Sequence, residues 1–247
     1  MKSTDTNRRE FISRTGSSLL VAAAGSGLGL SAMKAQGAQG PATQTKQTQG
    51  ATTPPEALRM LQKGNARFVQ GKMLERDLME QVRATASGQF PIAAILGCID
   101  SRTISEFIFD QGIGDIFNAR VAGNFVDDEI LGSLEFACAG AGAKLIVVLG
   151  HTECGAVKGA CDDVIMGNLT QTLSNIKAAV AAVSGFDPDR DSKNGRFVQA
   201  VADKHVELTV KRIERRSPIL RGMIDQGKIG LVGAMYNVHN GSVTFSS

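Results

Sequence analysis

The chain has 247 residues, 27 Lys+Arg against 24 Asp+Glu, and 43% hydrophobic residues, with 5% aromatics and no tryptophan. That is enough apolar material for a sizeable core, built from aliphatic side chains and phenylalanine. Five basic residues (Lys2, Arg8, Arg9, Arg14, Lys34) fall within residues 1–37 beside only Asp5 and Glu10. The rest of the chain is electrically neutral, which removes any electrostatic case for binding nucleic acid.

Residues 1–37 read as a targeting segment. Asn7-Arg8-Arg9-Glu10-Phe11-Ile12 resembles a twin-arginine export signal, and an apolar stretch rich in Gly and Ala follows over residues 19–30. That stretch is short of the roughly 20 residues that span a bilayer, so no stable membrane span is expected. The resemblance implies the twin-arginine export machinery as a partner and a periplasmic or otherwise exported location. Residues 38–53, dominated by Gln, Thr, Gly and Ala, are expected to form a flexible linker, and residues 54–247 one folded domain.

Pro54-Pro55-Glu56 opens a helical pattern that places Ala57, Leu58, Leu61 and Phe68 on one face. A second helix is predicted over residues 74–85. Residues 92–97 (IAAILG) are a continuous apolar run between Pro91 and a glycine, as in a strand buried on both faces of a parallel sheet. Further strands are predicted over residues 116–121, 144–150 and 229–238. His239-Asn240-Gly241 then turns the chain into an edge strand over residues 243–245. Helical patterns occupy residues 128–139, 162–183 and 197–216, and the polar stretch 184–195 is expected to be a surface loop. Strands alternating with helices predict an α/β fold with a central, mainly parallel β-sheet flanked by helices, preceded by an N-terminal helical arm.

The four cysteines are Cys98, Cys138, Cys154 and Cys161. In an exported chain the first reading is two disulfides, but two of them stand in other contexts. Cys98 follows the first predicted strand in Cys98-Ile99-Asp100-Ser101-Arg102, and Cys154 follows the third in His151-Thr152-Glu153-Cys154-Gly155. Ligands of open α/β sheets gather at such carboxyl ends. Two thiolates and an imidazole suit zinc, and three protein ligands leave a fourth position open, as in catalytic sites. Cys138 is expected in the core. Cys161 is expected either to pack or to be oxidised, with a Cys138–Cys161 disulfide left open. His205 reads as helix packing and His239 as a turn residue.

The C-x-D-x-R and H-x-x-C motifs, with Cys98 and His151 53 positions apart, resemble the β-class carbonic anhydrase family. So do Gly88-Gln89-Phe90-Pro91, Asn118-Ala119-Arg120-Val121-Ala122-Gly123-Asn124, Gly132-Ser133-Leu134-Glu135-Phe136-Ala137 and Gly155-Ala156-Val157-Lys158-Gly159. The resemblance implies one Zn2+ per chain on Cys98, His151 and Cys154, and reversible hydration of CO2 to bicarbonate and a proton by zinc-hydroxide attack. It implies that Asp100 accepts a hydrogen bond from the hydroxide and Arg102 fixes Asp100, with Asp100 as a fourth zinc ligand in a resting state of some members. It further implies substrate contacts from Gln89 and the Gly155 N–H, and a CO2 pocket lined by Phe117, Ala122 and Phe136, with Phe136 where tyrosine is common. Ile95 stands where the bicarbonate-inhibited subgroup carries tryptophan, which argues against that allosteric site. As in the family, a homodimer or homotetramer is implied. Two alternatives remain at this point: a hydrolase of carbonyl sulfide or carbon disulfide on the same scaffold, and a non-catalytic zinc-binding homologue.

Overall fold

A computed structural model describes residues 43–246; the export segment expected within residues 1–37 lies outside the described residues. The chain begins with α1 (Lys46–Ala51), α2 (Pro54–Val69) and α3 (Leu78–Thr85). Pro54 occupies the first turn of α2, and Glu56 Oε2 accepts a hydrogen bond from the Thr53 N–H at 2.8 Å, satisfying a donor that the helix itself leaves free. This arm is tied down by Asp110, whose wholly buried carboxylate pairs with Arg67 and Arg76.

Five strands follow: β1 (Ala93–Gly97), β2 (Ile116–Arg120), β3 (Leu145–His151), β4 (Gly230–Tyr236) and β5 (Val243–Ser246). Their order in the sheet is β2-β1-β3-β4-β5, with the first four parallel and β5 antiparallel to β4. The predicted α/β architecture and its edge hairpin are therefore present. The turn at Gly241 has φ 78°, a conformation that glycine adopts at no steric cost.

The two central strands, β1 and β3, are buried along their whole length, and their side chains divide by the two-residue period of a strand. Ala94, Leu96, Ile146 and Val148 face one core, with α5 (Asp128–Glu135) and the following π-helical turn Phe136–Gly140. Ala93, Ile95, Leu145 and Val147 face the other, with α2 and Phe109, which follows α4 (Ser105–Ile108). A third cluster caps the carboxyl edge of the sheet. It joins Cys98 and Cys154 to α6 (Gly155–Cys161), α7 (Gly167–Ser174), α8 (Lys177–Ala182) and the long α9 (Gly195–Arg216), which precedes α10 (Pro218–Asp225). Among the described residues no helix is long and apolar enough to cross a membrane.

Two expectations are corrected. The described part of the supposed linker, residues 43–53, is not a free tether: α1 docks through the buried Gln49, whose Nε2 donates to the Pro91 and Ala141 carbonyls at 2.8 and 2.9 Å. The helix expected over residues 162–183 is two helices. Asp163, before α7, and Gly167, its first residue, take positive φ (54° and 44°), and the Asn175 amide donates back to the Gln171 and Thr172 carbonyls where α7 ends.

Candidate metal centre

β1 and β3 run in register with Gly97 beside Leu149, so the residues after each strand emerge side by side. Cys98 leaves β1 there, His151 ends β3, and Cys154 precedes α6 after a turn in which Glu153 has φ 58°. All three side chains are buried, and one potential ligand atom from each lies within 4.8 Å of the others.

The imidazole is oriented by its own backbone. His151 Nδ1 lies 2.9 Å from the Thr152 carbonyl, which can only accept, so Nδ1 carries the proton and Nε2 presents a lone pair. Thr152 is fixed in turn: its N–H donates to the Tyr236 carbonyl at 2.9 Å, and its Oγ1 accepts from the Val238 N–H at 3.1 Å. His151 Nε2 is buried without a hydrogen-bond partner, an arrangement that costs about 1–3 kcal/mol unless an electrophile takes the lone pair. Two sulfurs and one unpartnered imidazole nitrogen around a common point fit zinc by donor type and number.

The sulfurs are not equivalent. The Cys98 thiol is pulled well down, chiefly because Cys154 donates a hydrogen bond to it; burial opposes this, and the Gly123 N–H assists. Cys154 is pushed up because it keeps the shared proton and is buried. A divalent ion would take that proton's place and hold both sulfurs as thiolates.

Asp100 and Arg102 stand at the rim. Arg102 Nε donates to Asp100 Oδ1 at 2.9 Å and Nη2 to Oδ2 at 2.8 Å, and the Arg102 backbone N–H adds a third bond at 3.0 Å. This grip holds the carboxyl well below the usual carboxylate range, with burial a weaker opposing influence. Asp100 is thus turned onto Arg102, with Oδ2 4.0 Å from His151 Nε2. Arg102 also reaches the Glu153 carbonyl at 3.4 Å, linking the two ligand-bearing loops.

Four residues with no functional role in the sequence reading complete the surroundings. Arg120 donates from Nε to the Cys98 carbonyl at 2.8 Å and from Nη2 to the Asp100 carbonyl at 2.7 Å. Thr103 Oγ1 lies within reach of the same two carbonyls, at 3.0 and 2.9 Å. The Gly123 N–H donates to Cys98 Sγ at 3.3 Å, and His205 Nε2 lies 2.6 Å from the Gly123 carbonyl. The only sequence signal was that Arg120 and Gly123 fall in a stretch resembling the family.

Ala122 and Gly155 lie beside the cluster, each next in sequence to a residue that forms it or bonds to it. Gln89, Phe117 and Phe136 do not. Gln89 precedes β1 whereas Cys98 follows it, and five strand residues at about 3.3 Å each separate the two ends. Phe117 lies on the edge strand β2, paired with Ala94 near the start of β1, and Phe136 packs its ring 6.1 Å from that of Phe117 while remaining 62% exposed. Cys138 is buried in the core as expected, with burial raising its thiol to about 12, and Cys161 is a free buried thiol, so neither forms a disulfide here.

The family model described as carbonic anhydrase matches residues 93–243. Carbonic anhydrase 2 of Mycobacterium tuberculosis is 38% identical over 191 residues, covering 77% of this chain and 91% of the relative. A carbonic anhydrase of Mycolicibacterium smegmatis is 33% identical over 210 residues, covering 79% and 95%. Among solved structures, the β-carbonic anhydrase CafA of Aspergillus fumigatus superposes with a TM-score of 0.59 at 26% identity, over 78% of this chain and 90% of that one. A tetrameric β-carbonic anhydrase of Sordaria macrospora gives 0.58 at 26% identity, over 66% and 84%.

Proposed function

The chain belongs to the β-class carbonic anhydrase family, and from that premise we propose that it hydrates carbon dioxide reversibly to bicarbonate and a proton, using zinc held by Cys98, His151 and Cys154. The observation that carries the reading is the orphaned His151 Nε2 facing two buried cysteine sulfurs. When bound, zinc supplies a Lewis acid that brings the ionisation of water to about pH 7, a value general to catalytic zinc.

The chain's own residues supply position and polarity. Asp100 Oδ2 offers an acceptor beside the cluster that orients an attacking O–H, and it does not take up that proton because Arg102 keeps the carboxyl ionised. Arg120 and Thr103 lock the Cys98–Asp100 loop by its carbonyls, so the ligand and the acceptor hold a fixed separation. Ala122 presents a small apolar wall suited to a nonpolar gas, and the Gly155 N–H offers a donor to a substrate oxygen.

Stopped-flow CO2 hydration with zinc counted in the same sample tests this reading. Wild type is expected to hydrate far above the buffer rate, and Cys98→Ser to fall to it; zinc-loaded wild type no faster than buffer would refute the assignment.

The proposal extends to assembly. Gln89, Phe117 and Phe136 lie away from the metal cluster of their own chain, and Phe136 and Phe107 leave 62% and 56% of their surface exposed. A homodimer, or a homotetramer of such dimers, covers these exposed rings and delivers Gln89, Phe117 and Phe136 to the partner's site; the tetrameric Sordaria macrospora relative supports it. Light scattering of the zinc-loaded protein decides, and a monomer active at full rate would contradict it. Export rests on Arg8-Arg9 and the apolar stretch over residues 19–30. A twin-arginine route carries folded proteins, so zinc would be loaded before export and would shield the thiolates from oxidation. Retention of an Arg8→Lys/Arg9→Lys variant in the cytoplasm is the expected result, and unchanged export would oppose it.

A further inference from the structure

We propose that His205 is a positioning residue for the metal centre: its Nε2–H holds the Gly123 carbonyl, and Gly123 thereby aims its own N–H at the Cys98 sulfur. This rests on the reading of Cys98 as a metal ligand.

His205 lies on α9, 82 positions from Gly123 in sequence, and is buried. The 2.6 Å contact is to a carbonyl, which only accepts, so the ring proton sits on Nε2. Burial lowers the His205 value and keeps the ring neutral, although the bond to Gly123 pulls the other way.

Gly123 has little freedom to choose another conformation. Its φ is 86°, and the Asn124 N–H closes a turn onto the Val121 carbonyl at 3.1 Å. A Cβ placed on it would lie 2.6 Å from Ile176 Cδ1 and 3.3 Å from Ala156 Cβ. With the turn closed and that side blocked, gripping the carbonyl fixes the direction of the N–H on the same residue. The N–H then meets Cys98 Sγ at 3.3 Å, where it stabilises negative charge on sulfur and sets how much of that charge is shared with a bound metal.

A histidine that merely filled space would be replaceable by leucine, whereas a donor would not. Gln places its amide nitrogen the same number of bonds from Cβ as His Nε2, and Asn stops one bond short. The experiment uses the full chain as wild type, His205→Leu, His205→Asn and His205→Gln. Each is checked for folding by circular dichroism, and zinc affinity is measured by competition with a chromogenic chelator. The thiolate-to-cobalt absorption band is recorded on the Co2+-loaded proteins. Leu and Asn are expected to weaken zinc binding roughly 10- to 100-fold and to shift the cobalt band, with Gln restoring both. The Asn variant decides if leucine is not tolerated. Folded Leu or Asn variants with wild-type affinity and an unmoved band would overturn the role of His205 while leaving the cluster intact. Failure of wild type to bind zinc at all would remove the cluster and this inference together.

Discussion

Arg102 holds both oxygens of Asp100, Nε on Oδ1 at 2.9 Å and Nη2 on Oδ2 at 2.8 Å, across two positions of an irregular turn. The fork match makes this a directional clamp rather than a simple charge pair. It commits the carboxylate to accepting and leaves it ionised, beside a histidine lone pair that has no partner of its own.

Arg102→Lys preserves the charge but not the fork. Hydration is expected to fall on the order of 10²-fold, the scale of a misplaced catalytic group, with zinc content unchanged. Stopped-flow rates with metal counted on the same protein check this; a rate within twofold of wild type would make the bidentate geometry dispensable.

His205 gives the folded protein an acid sensitivity whose sign is set by burial. Its folded value lies below the ordinary 6.5, owing first to desolvation and also to the nearby Arg212, with the Gly123 bond opposing. As pH drops below about 6.5 the unfolded chain takes up a proton that the folded chain refuses. The stability contribution is therefore complete above that pH and is lost as pH falls toward the folded value. Melting curves from pH 8 to pH 5 should show wild type losing more stability than His205→Gln. Parallel curves would show that this histidine does not titrate differently on unfolding.

Gly123→Ala would force a side chain into a left-handed backbone and against Ile176. A loss of about 1–3 kcal/mol of unfolding free energy is expected by urea denaturation. An alanine variant as stable as wild type would mean that the turn relaxes freely, and would weaken the case for a rigid Gly123 beneath Cys98.

Gln49→Ala leaves the Pro91 and Ala141 carbonyls without their donor. A cost of about 1–3 kcal/mol is expected, together with faster hydrogen exchange over residues 46–51. Exchange at the wild-type rate would mean that α1 is held by something other than Gln49.

These residues also mark where the sequence was readable. The apolar runs of β1 and β3 announce buried parallel strands because both faces are covered, and that placed Cys98, His151 and Cys154 at one edge. The docking of α1 was invisible, because its composition is that of a tether and its anchoring bonds join residues 42 and 92 positions apart. His205 read as packing for a related reason. Its apolar neighbours on α9 have helical spacing, while the carbonyl it grips lies on a distant loop. The breaks within residues 162–183 depend on positive φ at Asp163 and Gly167 and on an Asn175 side chain that competes for helix carbonyls. Gln89, Phe117 and Phe136 were singled out by resemblance alone, and a single chain does not bring them to the cluster.

Zinc K-edge X-ray absorption on the zinc-loaded wild type, alongside Cys98→Ser and Cys154→Ser, measures the ligand set itself. Two sulfurs at about 2.3 Å and one imidazole nitrogen at about 2.0–2.1 Å, with one sulfur lost in each variant, are the expected result. A shell without sulfur, or one unchanged by either substitution, would place the metal elsewhere and contradict Cys98, His151 and Cys154 as the centre.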